Sequence, residues 1–410
     1  MSEINVVMVG PKGAGKTSIL SVMLHNVQQF NERMCLHNQE FQSLAIRPSL
    51  EPEGMAHKSL DDGYGLLQGL AREAALTGTS TNYSIDVRKG MIMGDVTSRT
   101  TPVVFSMGRH ETRINFWDFP GMFYSQKQID DDRKRGDERQ FAPEDVAQWE
   151  ETVRNADVIL LAVDTTTQLG KDPILKDDTY YARITKLVKD SIATSMTTLV
   201  FVPVKCEHIA LAPKWNDNSE SIALPFKKDG LAKLRKEVEE LFPELMEHIR
   251  NPNVWGNVDA FFSPMITVGG VKCAGREFDP RSGKGKVKFS PILPEHFEAS
   301  PFLPKNCDKV FALCLLRAYQ PLVEEWKKDR TIPERIKAWW TGKTPFEDYF
   351  DKLADAIHFR KMFGGFFAEN PSFLTSQGRG DLQPTLEEMS KDGPEDGCTT
   401  LNFVYPPMVK

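Results

Sequence analysis

Apolar residues along the chain gather in short, β-branched runs separated by longer stretches of helical spacing. Ile4 to Val9 is such a run, and Ile19, Leu20, Met23, Leu24 and Val27 follow it at helical intervals, predicting a buried strand and then a helix. Thr101 to Met107 and Thr112 to Trp117 suit paired strands about a turn at 108–111. Val158 to Val163 and Thr198 to Val204 are almost uninterruptedly apolar, as strands covered on both faces are. A helix is expected from Pro143 to Asn155, with Pro143 in its first turn and Val146, Trp149 and Val153 on one face. A last strand is expected from Ala260 to Val268, ending in Gly269-Gly270. A closing helix from Asp308 to Trp326 is then apolar at Val310, Phe311, Leu313 and Leu316. This alternation predicts an α/β fold with a doubly wound, mostly parallel sheet and ligands at the carboxyl ends of its strands.

Two regions depart from the pattern. Residues 28–80 exceed what a helix and a hairpin require, and combine helical patches such as Leu66 to Leu76 with Pro48, Pro52 and Gly54; they read as a helical insert. Residues 327–410 read as a mostly helical extension to a domain spanning 1–326. Helices are expected from Pro333 to Trp340 and from Phe346 to Phe363, loops near Gly378-Arg379-Gly380 and 391–397, and an edge strand or docking segment at Leu401 to Tyr405. Arg281, Lys284, Lys286 and Lys288, interleaved with glycines, read as a flexible surface loop. No internal repeat is evident.

Composition narrows the class. The 410 residues carry 51 Lys+Arg and 57 Asp+Glu, a net charge of −6, and 40% are apolar. That balance excludes disorder over most of the chain and argues against a dedicated nucleic-acid binder. No apolar run approaches the ~20 residues of a spanning helix. Lys12 interrupts any leader, so a cytoplasmic protein is expected. Six cysteines without a C-x-x-C pair fit reduced thiols. His25, His37 and His57 have no metal-ligand spacing.

The chemistry begins at the end of the first strand. Gly10-Pro11-Lys12-Gly13-Ala14-Gly15-Lys16-Thr17 fits G-x-x-x-x-G-K-[ST] at every position, and with Ser18 it opens a helix. Glycines let backbone N–H groups curl around phosphate oxygens, and the helix turns its positive end to the same anion. Lys16 would bridge the β- and γ-phosphates, and the Thr17 hydroxyl would ligate magnesium. Gly342-Lys343-Thr344 fails the same test because residue 337 is Lys. At the end of the hairpin, Trp117-Asp118-Phe119-Pro120-Gly121 offers Asp118 to magnesium and the Gly121 N–H to the γ-phosphate.

With Val204-Lys205-Cys206-Glu207 at the end of a later strand, the chain resembles P-loop GTPases of the translation-factor-related (TRAFAC) class over residues 1–326. GPKGAGKT resembles their phosphate loop, WDFPG their D-x-x-G, and VKCE their [NT]-K-x-D base motif. The resemblance implies GTP or GDP as ligand, Lys205 along the purine face, and Glu207 accepting hydrogen bonds from guanine's ring N–H and amino group. It also implies backbone contact with the base near Val268 to Val271. Val204 stands where Asn or Thr is usual, and Glu207 where Asp is. Among bacterial relatives, the long insert and the divergent base motif resemble those of GTPases from conflict and phage-defence gene clusters.

A threonine completing the magnesium site is expected before the hairpin: Thr79, Thr81, Thr100 and Thr101 are candidates, with Thr101 ahead because it opens a strand. Met122 holds the place where many GTPases have the Gln that orients water, so hydrolysis is expected to be slow without help. The run 130–139 reads as a solvated loop, with Arg133, Arg135 or Arg139 as an alternative arginine finger. Together these features predict a slow GTPase switch with a protein partner at the insert, the switch loops or the extension. The rivals are an ATP-dependent P-loop enzyme and a non-hydrolysing nucleotide-binding scaffold. A purine-binding carboxylate disfavours the first, and nothing in the sequence separates the second.

Overall fold

A parallel strand without polar alternation is stable only with both faces covered. In the computed structural model, residues 158–164 and 197–204 are such strands and are buried along their whole length. The structure describes residues 2–11, 14–24, 44–48, 65, 67–68, 81–86, 99–107, 110–119, 143–165, 178–195, 197–211, 214–216, 221–223, 226–251, 258–269, 271–279, 284–291, 303–307, 310–311, 313–314 and 399–400.

The main sheet has eight strands: β1 (Ser2–Val9), β2 (Leu44–Pro48), β4 (Arg99–Met107), β5 (His110–Asp118), β6 (Val158–Asp164), β7 (Thr197–Val204), β10 (Val258–Phe262) and β13 (Thr399–Thr400). Their spatial order is β13-β10-β7-β6-β1-β5-β4-β2. The five strands from β10 to β5 are parallel; β13 and β4 are antiparallel additions at the two edges, and β2, antiparallel to β4, runs again in the direction of the five. The chain leaves β1 for β5 on one side and then crosses to β6 on the other. That reversal places a crevice at the carboxyl ends of β1 and β6, the usual ligand position in such sheets.

The helices are α1 (16–24), α2 (Pro143–Arg154), α3 (Asp178–Thr194), α4 (Lys228–Leu241) and α5 (Pro243–Ile249). One face of the sheet contributes Val7, Val9, Ile159, Leu161, Val163, Leu199 and Phe201 to a core with Trp149, Val153, Ile184, Val188, Leu234 and Val238 from α2, α3 and α4. Arg183 on α3 reinforces the α2 contact, meeting Glu150 at 2.7 Å and lying 5.3 Å from the centre of the Trp149 ring. Residues of the opposite parity, Ile4, Val6, Met8, Ile114 and Phe116, are buried too. Phe116 stacks on Phe311 at 6.2 Å, so the described helical residues at 307, 310–311 and 313–314 pack on this second face; the rest of the expected closing helix lies outside the described residues.

Several expectations need correction. The hairpin turn is tighter than 108–111, because β5 already begins at His110, opposite Met107. The expected strand Ala260 to Val268 is Val258–Phe262, followed by irregular backbone to 269. The insert is not wholly helical: it supplies β2 at the sheet edge, while Gly65, Leu67 and Gln68 are in helix.

From Lys284 on, the basic run is strand and not loop, while 281–283 lie outside the described residues. Lys284–Pro291 forms β12, the middle strand of a second sheet between β11 (Val271–Asp279) and β3 (Thr81–Asp86). Lys284 stands in register with Asp279 on one neighbour and Asp86 on the other, and Lys286 with Glu277. A short hairpin, β8 (Lys214–Asn216) and β9 (Ser221–Ala223), completes the described strands. The tail segment 401–405 and all of 327–398 lie outside the described residues. None of the described helices is long and apolar enough to cross a membrane.

Candidate functional site

The phosphate loop is shaped by where β1 stops and α1 starts. Ala14 N–H closes a turn onto the Pro11 carbonyl at 3.1 Å, and Ile19 N–H begins the helical ladder on Gly15 at 2.9 Å. Gly15 sits at φ +91°, which a side chain would oppose. Lys12 and Gly13 lie outside the described residues. The Lys16 side chain is buried and curls over the loop, its ammonium donating to the carbonyls of Gly10 at 2.9 Å and Pro11 at 3.4 Å. Burial pushes its pKa down, and the nearby Asp118 charge opposes that shift.

Parallel pairing of β1 with β5 sets Met8 opposite Asp118, so the two strand ends are neighbours. The Thr17 hydroxyl donates to Asp118 Oδ2 at 2.6 Å, across 101 positions of sequence. A hydroxyl and a carboxylate beside a phosphate loop form a hard-oxygen donor set suited to magnesium, which keeps waters and phosphate oxygens as its other ligands. Thr101 lies within β4, opposite Phe116, two positions from Arg99, which stands opposite Asp118. Thr100 is also in β4, and Thr81 opens β3 in the second sheet. Thr79, Gly121, Met122 and the run 130–139 lie outside the described residues.

On the other side of the crevice, the end of β7 turns sharply into a single 3-10 turn, Cys206–Ile209. Lys205 at its start is left-handed, φ 61° and ψ 38°. For a residue with a Cβ that conformation costs about 1–2 kcal/mol and persists only where the surroundings hold it. They do so here from the end of β6. Thr165 N–H donates to the Val204 carbonyl at 3.2 Å, and its hydroxyl lies 2.9 Å from both the Val204 and Lys205 carbonyls. The Lys205 ammonium meets Asp164 Oδ2 at 2.5 Å, and the Asp164 side chain is only 2% exposed.

Glu207 follows on the same turn, buried at 7% exposure. Desolvation lifts its carboxyl to about 7; hydrogen bonds from its own N–H and from Gly269 N–H, with the Lys205 charge, oppose the rise, and Asp164 adds to it. Cys206 beside it is buried with its pKa pushed up, and its thiol donates to the Pro203 carbonyl at 3.3 Å, which marks a packing residue.

The Gly269 N–H is held in place by the irregular backbone after β10. Met265 N–H reaches the Pro203 carbonyl at 2.7 Å. Ile266 and Lys305 exchange backbone bonds at 3.1 and 2.9 Å, and Leu303 N–H reaches Val268 at 3.0 Å. Gly269 has φ +66°, and a Cβ there would overlap the Leu303 carbonyl. The structure thus brings together Lys16, Thr17 and Asp118 on one side, and Lys205, Glu207 and Gly269 on the other, along one edge of the sheet. The sequence reading missed Asp164 and Thr165. A polar pair ending an apolar parallel strand was the available signal, and the expected strand stopped one residue short of it.

The chain matches no protein-family model and no curated protein. Among solved structures it is similar to the GDP-bound RocCORdC of Roco2 from Methanosarcina barkeri, at 12% identity and TM-score 0.22, over 65% of this chain. The chain spans 44% of that structure's length. At so low a TM-score, the sheet order and the site geometry carry the functional argument.

Proposed function

We propose that the chain is a magnesium-dependent guanine-nucleotide-binding protein of the translation-factor-related class, that it hydrolyses GTP slowly, and that it works as a conformational switch. The observation that carries this reading is the convergence of three distant segments, 10–18, 118 and 204–207, on the carboxyl edge of neighbouring parallel strands. Gly10 to Ser18 wrap the phosphates, with Lys16 as the cation. Thr17 and Asp118 hold magnesium, which supplies charge neutralisation at the phosphates; Thr101 is the candidate third residue. Lys205 lies along the purine, and Glu207 accepts from its ring N–H and amino group. Water attacks the γ-phosphorus and the bond to the bridging oxygen breaks, giving GDP and phosphate; Lys16 stabilises the charge that develops on the departing oxygens. Met122 in place of a water-orienting Gln makes the intrinsic rate slow. The extension at 327–410, the insert and the loop after Asp118 are the candidate partner surfaces in the cytoplasm, and conflict-system GTPases are the candidate group.

Titration of nucleotide-free protein with GTP, GDP and ATP in magnesium, beside Lys16→Ala, tests the core of this reading. Guanine nucleotides are expected to bind tightly to the wild type and not to the variant. Equal or tighter ATP binding would overturn the assignment of the base, and binding of neither would overturn the nucleotide site itself.

A further inference from the structure

Val204 brings no polar side chain to the turn that carries Lys205 and Glu207, and yet that turn holds a left-handed lysine in a fixed place. What fixes it comes from the neighbouring strand. Asp164 and Val204 are register partners at the ends of β6 and β7. Just beyond them, the Thr165 hydroxyl lies within hydrogen-bond distance of two successive carbonyls of the turn, 2.9 Å from each. Asp164, almost wholly buried, takes the Lys205 ammonium at 2.5 Å.

We propose that Asp164 and Thr165 are positioning residues that set guanine selectivity. Thr165 holds the backbone of the turn, and Asp164 anchors the far end of the Lys205 side chain, so that its aliphatic stem lies flat for a purine and Glu207 faces the base edge. This proposal deepens the guanine reading above and rests on it. Its physical basis is the division of labour within a lysine side chain. The methylene stem packs on a flat apolar surface only if the ammonium has somewhere polar to go. In water the ammonium turns outward and takes the stem with it; a buried carboxylate at the end of β6 gives it a fixed partner inside the protein. Thr165 acts one step earlier, because the stem leaves in the right direction only from a left-handed Lys205. Neither residue touches the phosphates, whose binding belongs to the ends of β1 and β5. Their loss therefore weakens discrimination between bases, while the phosphate grip remains.

The test compares GTP and ATP dissociation constants in magnesium for wild type, Thr165→Val, Thr165→Ser and Asp164→Asn, with thermal melting of each to establish folding. Thr165→Val and Asp164→Asn are expected to lower the preference for GTP over ATP by tenfold or more, with most of the change in GTP affinity. Thr165→Ser, which keeps the hydroxyl, should retain the wild-type preference. Unchanged selectivity in the folded variants overturns the proposal, and so does a parallel fall in GTP and ATP affinity, the signature of a merely structural tie. If Thr165→Val fails to fold, the near-isosteric Asp164→Asn decides by the same ratio. A wild-type protein that binds nucleotide without preferring guanine fails at the earlier step: it overturns the guanine reading directly, and the role of Asp164 and Thr165 in selectivity with it.

Discussion

Burial lifts the Glu207 carboxyl from its ordinary 4.5 to about 7, so its charge changes within the working range of most cytosolic proteins. In the proposed reading guanine would offer two donors to that position and be met by the ionised form, which accepts; a protonated carboxyl would oppose one donor with its own hydrogen. GTP affinity is therefore expected to fall about tenfold between pH 8 and pH 6, where the group is mostly protonated, while ATP affinity stays level. Isothermal titration at the two pH values checks this, and a flat GTP profile would count against Glu207 as the base acceptor. The same shift has a stability consequence of definite sign. Between pH 4.5 and 7 the folded protein holds the Glu207 proton more firmly than the unfolded chain does. Folding stability from this group is thus fully present below 4.5, declines as pH rises, and is lost above 7, by about 3 kcal/mol in the ligand-free protein. Glu207→Gln removes that loss. It should raise the urea midpoint at pH 8, change it little near pH 4.5, and abolish the preference for guanine. Stability gained where specificity is lost separates a recognition carboxylate from one that serves the fold.

At the scale of elements, the two halves of the site are built differently. The phosphate half is a local motif completed by one strand pairing. The Thr17 to Asp118 contact exists because β1 and β5 lie parallel with their ends level. Asp118→Asn keeps the shape and removes the charge, so it is expected to reduce the advantage that magnesium gives to GTP binding by tenfold or more. Parallel titrations in magnesium and in EDTA measure that advantage, and an undiminished ratio would place the cation elsewhere. This half was legible in the sequence, since the motif, the strand before it and the helix after it are all short-range signals. The base half was only partly legible. Lys205 and Glu207 stand in a recognisable stretch, but the residues that hold them lie elsewhere in the chain: Asp164 and Thr165 show only as a polar pair after an apolar strand, and Gly269 only through the resemblance at Val268 to Val271. The second sheet escaped for the same reason. Its middle strand pairs with residues some 200 positions away, and a run of alternating Lys and Gly looks like a loop until the strands on either side are known. Helix α3 is a different case: Tyr180, Ile184, Leu187, Val188 and Ile192 recur at helical spacing and are buried, so the signal was present in the chain.

For the molecule as a whole, the site and the core are the same object. Asp118, Asp164, Lys205 and the loop before Gly269 all follow or end strands of one continuous sheet that carry the buried core. Unfolding the sheet therefore disperses the site, and a ligand that grips several strand ends must oppose unfolding through all of them. Nucleotide at 100 times its dissociation constant should add about 2.7 kcal/mol to the unfolding free energy. The increment follows from mass action and does not depend on which contacts supply it. In urea it should move the midpoint upward and leave the slope unchanged, because the slope reports the surface exposed on unfolding and a ligand that binds the folded sheet leaves that surface nearly the same. Fluorescence of Trp149, which is fully buried between the sheet and α3, follows the core, while Trp117, whose indole N–H lies 3.0 Å from Asn5 Oδ1 at the end of β5, lies nearer the site. Variants in which Trp117 or Trp149 is the one tryptophan kept of the chain's seven would report site and core separately, and the two transitions should coincide with and without GTP. Lys16→Ala should show no shift at the same GTP concentration. A GTP-dependent rise in slope, or a site probe that melts before the core, would mean that nucleotide orders a region unfolded in its absence. Site and sheet would then be separate cooperative units.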